Sequence, residues 1–258
     1  MKLYLKYLSI HVKSQMQYKT SFFLLSLGQF LVSFSALLGV WFMMSRFHTV
    51  DGFTFPEVLI CFAVTLTGFS VAESFARAFD LFPVVISNGE FDRMLMRPRG
   101  LIFQMLAAKL ELSRFGRVIQ AVAVLCYAIP ASGIVWTGDK VLTLALMIVC
   151  GAVVFSCLFL IYAAISFFTI EGLEFMNVLT DGGREFGRYP FSVYGKEVLK
   201  FLTCIVPMAL FQYYPLLYLI GRETSKWYMF MPLLSLLFVF PAYGLWRIGL
   251  RNYKSTGS

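Results

Sequence analysis

Charge is scarce in this sequence. Only 14% of its 258 residues are Asp, Glu, Lys or Arg, and 59% are apolar. A soluble domain carries about 25% charged and about 45–50% apolar residues. This composition excludes an ordinary soluble globule and fits a chain that lets lipid cover its apolar surface. Reactive residues are scarce too. The five cysteines, Cys61, Cys126, Cys150, Cys157 and Cys204, all lie inside apolar runs with no C-x-x-C pair. They read as small buried apolar residues, and neither a disulfide framework nor a zinc site is implied. The two histidines, His11 and His48, stand apart with no carboxylate–histidine motif, as interfacial or loop residues. No phosphate-cradling G-x-x-x-x-G-K-[ST] occurs. The nearest stretch, "GGREFGRY", has Gly182 and Gly187 at the right spacing, but Arg188 and Tyr189 replace the lysine and hydroxyl, so a turn is expected there. ATP binding by this chain is therefore not expected. There is no internal repeat and no low-complexity segment, and no cleaved signal peptide is expected, since lysines at 2, 6, 13 and 19 interrupt the N-terminal apolar pattern.

What is present is a series of apolar runs. A helix rises about 1.5 Å per residue, so about 20 residues cross about 30 Å of hydrocarbon. Five uncharged runs qualify: Ser21–Ser45, Val118–Trp136, Val141–Ile170, Phe201–Gly221 and Trp227–Trp246. A sixth, Val58–Ala72, spans if its helix starts near Pro56 and continues through Glu73 and Arg77, which are four apart in the order that favours a helical ion pair. The expected fold is an all-α polytopic membrane protein, a single domain over 1–258. Its six spans lie near 21–45, 56–78, 116–136, 141–168, 200–221 and 227–247. Residues 1–20 form an N-terminal interfacial helix, with Leu5, Leu8, Val12 and Met16 on one face and Lys2, Lys6 and Lys13 on another.

Six spans place both termini on one side. Together with residues 73–117 and 171–200, the termini hold 18 of the 22 lysines and arginines. By the positive-inside rule that side is the cytoplasm, and reporters at Lys19, Asp92, Lys196 and the C-terminus are all expected there. The polar groups expected within the spans are neutral, among them Gln29, Ser33, Gln212, Tyr213 and Tyr214, the last two followed by Pro215. Ion-coupled transport, which keeps ionisable groups at membrane depth, and intramembrane hydrolysis, which needs a nucleophile with a base, both lose ground. Pro207 and Pro215 break the helical ladder, and broken backbone is tolerated in a membrane only against protein or a water-filled cavity. Gln29, Ser33, Gln212, Tyr213, Tyr214 and Pro215 are thus candidates for a translocation path, with tight helix packing as the alternative.

One cytoplasmic stretch is densely charged. "NGEFDRMLMRPRG", Asn88–Gly100, has five charged residues in thirteen. Gly89 permits a sharp entry. Glu90 and Asp92 come early and Arg93, Arg97 and Arg99 late, as a helix dipole favours, and Pro98 stops the helix. Arg93 and Arg97 are expected on one face, beside an apolar knob of Met94, Leu95 and Met96. The pattern suits a docking element, with a solvated turn as the alternative.

"ISNGEFDRMLMRP", "GREFGRYPFSVYG" and "IVPMALFQYYPLLYLIG" together resemble the permease subunits of ABC-2 type exporters. The likeness is greatest to a bacterial branch with a G-E-[FL]-D-x-x-L-x-R-P loop and a Y-P-x-x-x-Y-G segment. Gly89, Glu90, Phe91, Asp92, Arg93, Arg97 and Pro98 match the loop, and Met94 and Met96 replace more usual aliphatics. The resemblance implies a permease in the bacterial cytoplasmic membrane whose loop 86–100 couples to a separate ATPase. It implies two ATPase copies carrying ATP and Mg, no cofactor in this chain, and a second permease, identical or related, completing a dimer within the lipid bilayer, with no nucleic acid. It makes residues 1–20 an elbow helix, places short re-entrant helices after the fifth span, and gives Glu171–Lys200 a second contact near the ATPase or an interfacial role. Export of an amphipathic or hydrophobic compound by alternating access is the expected function. The alternatives are a permease for a lipid-linked glycan and a non-transporting sensory or scaffold membrane protein.

Overall fold

The computed structural model describes residues 2–169 and 174–254. The start of the expected Glu171–Lys200 connection, the end of the C-terminal tail and the Lys2 side chain lie outside what is described. Among the described residues the chain is mainly helical and has no strand, its helices being α1 (Lys2–Gln17), α2 (Lys19–Phe47), α3 (Phe55–Ala76), α4 (Phe82–Ser87), α5 (Glu90–Leu95), α6 (Leu101–Ala108), α7 (Phe115–Ala131), α8 (Gly138–Ile165), α9 (Glu174–Phe186), α10 (Lys196–Cys204), α11 (Met208–Phe211), α12 (Tyr213–Leu219), α13 (Trp227–Ser235) and α14 (Val239–Asn252).

Five helical runs are long and apolar enough to cross a membrane: Lys19–Phe47, Phe55–Ser87, Leu112–Ala131, Gly138–Ile165 and Trp227–Asn252. Their burial sorts them. The most apolar window of α3 is 89% buried and that of α2 only 11%, so α3 is the central post and α2 an outer one. The centre begins from a local signal. Thr54 caps α3 and its backbone N–H donates to the Glu57 carboxylate at 2.8 Å, with Pro56 in the first turn. Further along, Gly68 lies on Gly151 of α8, where an added Cβ would be 3.1 Å from backbone, and Phe69 meets Phe155 edge-on at 5.1 Å. Small residues let helices approach where hydrophobic driving force is weak.

The same device seats the outer helix. A Cβ on Gly116 of α7 would fall 2.5 Å from the Ser26 carbonyl oxygen of α2. Gly116→Ala is expected to cost about 1–3 kcal/mol through forced backbone shifts. A fall of several degrees in the melting temperature of the detergent-solubilised chain checks this. An unchanged value would mean that α2 does not rest on α7 there.

The structure departs from the sequence expectation over 200–221. In place of one span interrupted by prolines, Lys196–Cys204 and Met208–Leu219 meet at 88°. The bend falls at Val206–Pro207, where proline cannot donate the helical hydrogen bond. Both ends of this bent pair lie at the same end of the bundle. Just before it, the Ser192 hydroxyl donates to Asp51 at 2.5 Å, in the turn between α2 and α3. Just after it, Arg222 donates to the Gly52 carbonyl and stacks 4.0 Å from the Phe53 ring. The pair is therefore a re-entrant hairpin.

A second correction follows. Residues 171–200 were expected on one side with Asp92, yet Ser192 reaches the opposite end. α9 makes the journey, antiparallel to α3: its Arg184 lies 4.9 Å over the Phe69 ring and Gly187 abuts the Thr65 side chain, ten residues into the 22-residue α3. Gly182, expected in a turn, is helical within α9, and Gly187 follows directly after its end.

Candidate functional site

The charged stretch is built around one buried ring. Gly89 adopts φ +66°, a left-handed conformation that glycine takes without strain, and turns α4 into α5. Phe91 is fully buried, edge-on to Phe82 at 5.1 Å and Tyr253 at 4.9 Å, and 5.5 Å from Phe167. The Tyr253 hydroxyl donates to Asp92 Oδ1 at 3.0 Å. Burial and the neighbouring Asp92 raise the Tyr253 pKa, so it remains a donor at neutral pH. Phe91 and Asp92 thus root the loop and do not face outward. Glu90, Arg93, Met96, Arg97, Pro98 and Arg99 are exposed, Met96 at 82%.

α5 ends at Leu95, so Arg97 is not on a shared helical face with Arg93. It follows in a turn whose N–H bonds Met94 at 3.2 Å. The Gln104 amide donates to the Met94 and Arg99 carbonyls at 3.0 and 2.9 Å, folding the turn back on α6. Glu90, Arg93, Arg97 and Arg99 line one groove with Tyr7 of α1 and Phe103 of α6. α1 is fixed there by Tyr4 on Phe103, by His11 at 2.9 Å from the Ala107 carbonyl, and by Gln15, which bridges Leu110 and the Leu112 N–H. Its packed face, Tyr4, Leu8, His11 and Gln15, is offset from the all-apolar face the sequence suggested, because polar side chains complete exposed backbone of the α6–α7 connection.

Tyr253→Phe removes a hydrogen bond to a carboxylate without changing volume. A loss of about 1 kcal/mol opens the loop about five-fold more often. Limited trypsin digestion after Arg93 and Arg99 should accelerate by that factor. An unchanged rate would show that Phe91 alone holds the loop.

The expected path residues do not form one surface. Gln212, fully buried, donates to the Gly187 and Tyr189 carbonyls at 3.0 Å each, satisfying backbone beyond the end of α9. Pro215 is buried in the first turn of α12. Tyr213 and Tyr214 pack on one another at 5.3 Å, and the Tyr214 hydroxyl meets Thr203 at 3.2 Å, closing the re-entrant hairpin. Gln29 sits apart, beside Gln15 and Arg114 where α1, α2 and the α6–α7 connection meet. Ser33 lines a different cleft.

That cleft holds what the sequence reading missed. It lies between α2, α3, α7 and α9, lined by Ser33, Phe62, Leu66, Arg117, Arg184, Glu185 and Arg188, among others. Asp181, Arg184 and Glu185 follow the i, i+3, i+4 spacing of one helical face, and Arg188 follows in the turn after α9, its N–H bonded to the Glu185 carbonyl. The opposite face, Met176, Thr180 and Gly183, is buried. Glu185 accepts from Arg184 at 3.0 Å and pairs with Arg188. Behind it, the nearly buried Glu73 carboxylate binds Arg117 at 2.6 Å, Arg77 at 3.0 Å and Arg114 at 3.7 Å. The Glu73–Arg77 pair was legible from sequence, whereas its extension to Arg117, 44 residues away, was not. Paired charges of this kind are the form in which charge is tolerated inside a bundle.

A model of the ABC-2 family transporter proteins matches residues 30–257, a span that includes the charged loop, α9 and the re-entrant hairpin. The chain belongs to this family. No curated protein and no solved structure matches it. ABC-2 proteins are membrane transport components and not themselves catalysts, and the family typically works with an ATPase partner. This ABC-2 chain is accordingly a multi-pass membrane protein of transport.

Proposed function

We propose that this ABC-2 chain is the permease subunit of an ATP-driven exporter in the bacterial cytoplasmic membrane, moving an amphipathic compound outward by alternating access. Two copies of a separate ATPase carry ATP and Mg, and a second permease, identical or related, completes the transport path. The observation that carries this reading is the loop Asn88–Gly100. Phe91 and Asp92 anchor it to α4 and to Tyr253 just after α14, while Arg93, Met96, Arg97 and Arg99 are exposed at one end. A rooted element with an exposed cationic and apolar tip is suited to transmit a partner's movement to the helices that hold it.

In this proposal α9 is the fifth of six crossings, α10–α12 enter and leave from the outer side, and both termini are cytoplasmic. With α9 in the membrane, Lys196 and Lys200 move outside and Arg184 and Arg188 lie in the span. The inner side still holds 14 lysines and arginines against six outside, which preserves the orientation. α1 lies along the inner interface as an elbow. Gln212, Tyr213, Tyr214 and Pro215 then close the outer half of the path.

Co-purification of the ATPase with the chain, and ATP hydrolysis stimulated by cargo, test the reading. A partner that binds without any nucleotide turnover would instead make the chain a scaffold.

A further inference from the structure

We propose that the cleft between α2, α3, α7 and α9 binds the acidic head group, a phosphate or carboxylate, of an amphiphilic ligand. Calling that ligand the cargo rests on the export reading above; the binding itself does not.

Three observations carry this. The first is charge. Three guanidiniums, Arg117, Arg184 and Arg188, line the cleft against one carboxylate, Glu185. Arginine presents a planar fork of donors that matches carboxylate and phosphate oxygens two at a time. The second is unused bonding capacity. Arg117 and Ser33 are each only 5% exposed, and neither Arg117 Nε nor Ser33 Oγ has a partner, although each lines the cleft. Buried donors of this kind are costly unless something accepts from them. The third is the remainder of the wall. Val32 and Ala36 of α2 and Phe62 and Leu66 of α3 are apolar. The space is about 350 Å³ including its open mouth, and its enclosed part is small, room for no more than a head group, so the rest of a ligand would extend through the mouth. The cleft offers guanidinium donors together with apolar contact, a combination that suits an acidic amphiphile better than a free anion.

Glu185 explains how such a site stays folded when empty. Its carboxylate bridges Arg184 and Arg188, and its side chain is 41% exposed, more than either arginine at 19% and 29%. Arg117 keeps its own partner in Glu73. An incoming acidic head group takes the guanidinium bonds that Glu185 holds, and Glu185 gives way to solvent. The residues of the site thus compete with the ligand, and neutralising Glu185 should strengthen binding. A role confined to packing does not produce that sign.

The full chain in nanodiscs of neutral lipid, without any ATPase, is titrated with 11-(dansylamino)undecanoic acid, whose emission reports binding. Dodecyl phosphate should displace the probe, while dodecyltrimethylammonium and inorganic phosphate should not. Arg188→Gln should weaken probe binding about ten-fold or more, and Glu185→Gln should tighten it by about ten-fold. Because gained affinity cannot come from misfolding, the pair keeps the test decisive. The proposal is overturned if both variants shift affinity the same way or not at all, or if the cationic amphiphile displaces the probe as well as the phosphate does. Equal displacement by inorganic phosphate overturns the amphiphile assignment in favour of a free anion. With no ATPase in the assay, its outcome is independent of whether the chain drives export.

Discussion

Reversing charge at Arg93 and Arg97 is expected to separate this ABC-2 chain from its ATPase while leaving the chain inserted and folded. Both side chains are exposed beyond the Phe91 anchor and line one groove with Glu90 and Arg99. No ion pair within the chain holds either of them among the described residues. Arg93→Glu with Arg97→Glu therefore costs little inside the chain. At an interface, losing one partner of a buried charge pair costs about 2–5 kcal/mol, roughly 30- to several-thousand-fold in affinity. Co-purification should fall accordingly, with unchanged elution of the chain alone. Acidic cleft residues on the ATPase exchanged for lysine should restore part of the binding. A reversed loop that holds its ATPase and transports at the wild-type rate would make the stretch a solvated turn.

Glu73→Gln is expected to have the largest effect on stability. Glu73 gathers three arginines, but their dependence on it differs. Arg77 also pairs with Asp80 at 3.1 Å, and Arg114 with Glu111 at 2.8 Å. Arg117, with 7% of its side chain exposed, has no second carboxylate within ion-pair distance among the described residues. Removing the Glu73 charge orphans Arg117 in a buried place, at a cost of about 3–5 kcal/mol. Stabilities of about 5–15 kcal/mol leave little margin for that loss, so the yield of folded, monodisperse chain should collapse. Glu73→Gln combined with Arg117→Met removes both buried charges and should recover most of the yield. Failure of the second change to rescue the first would place the stability elsewhere in the network.

How much of this was legible in the sequence depended on what each segment buries. Apolar runs declared themselves: α2, α7, α8 and the α13–α14 run lie where uncharged stretches of spanning length were read, and α3 where a shorter run was expected to span by continuing through Glu73. Gly89 was read correctly as a turn, since few residues other than glycine accept its positive φ. The stretch "EFDR" was read only in part. Four consecutive residues point four ways from a short helix, and nothing local says that Phe91 and Asp92 turn inward to Phe82 and Tyr253, the latter more than 160 residues away. Phe201–Gly221 misled because an uncharged run long enough to span can equally fold back on itself. Pro207 marked the break but not that both halves return to Asp51 and Gly52. α9 was missed for the opposite reason. Its charges argued for a cytoplasmic connection outside the bilayer, and only tertiary pairing beside Phe69 and Thr65 makes the helix tolerable inside the bundle. The signal was present in the spacing of Asp181, Arg184 and Glu185, with small and apolar residues opposite.

Export is tested most directly by movement of a molecule across a sealed membrane. Proteoliposomes holding the chain with its ATPase are loaded on one side with a fluorescent acidic amphiphile, and its transfer is followed on adding ATP and Mg. Transfer is predicted to require hydrolysis, to run from the side bearing Arg93 and Arg97 to the side bearing Lys196, and to cease with the charge-reversed loop. ATP hydrolysis with no transfer of acidic, zwitterionic or neutral amphiphile, at rates equal to liposomes lacking the chain, would contradict the assignment as a permease.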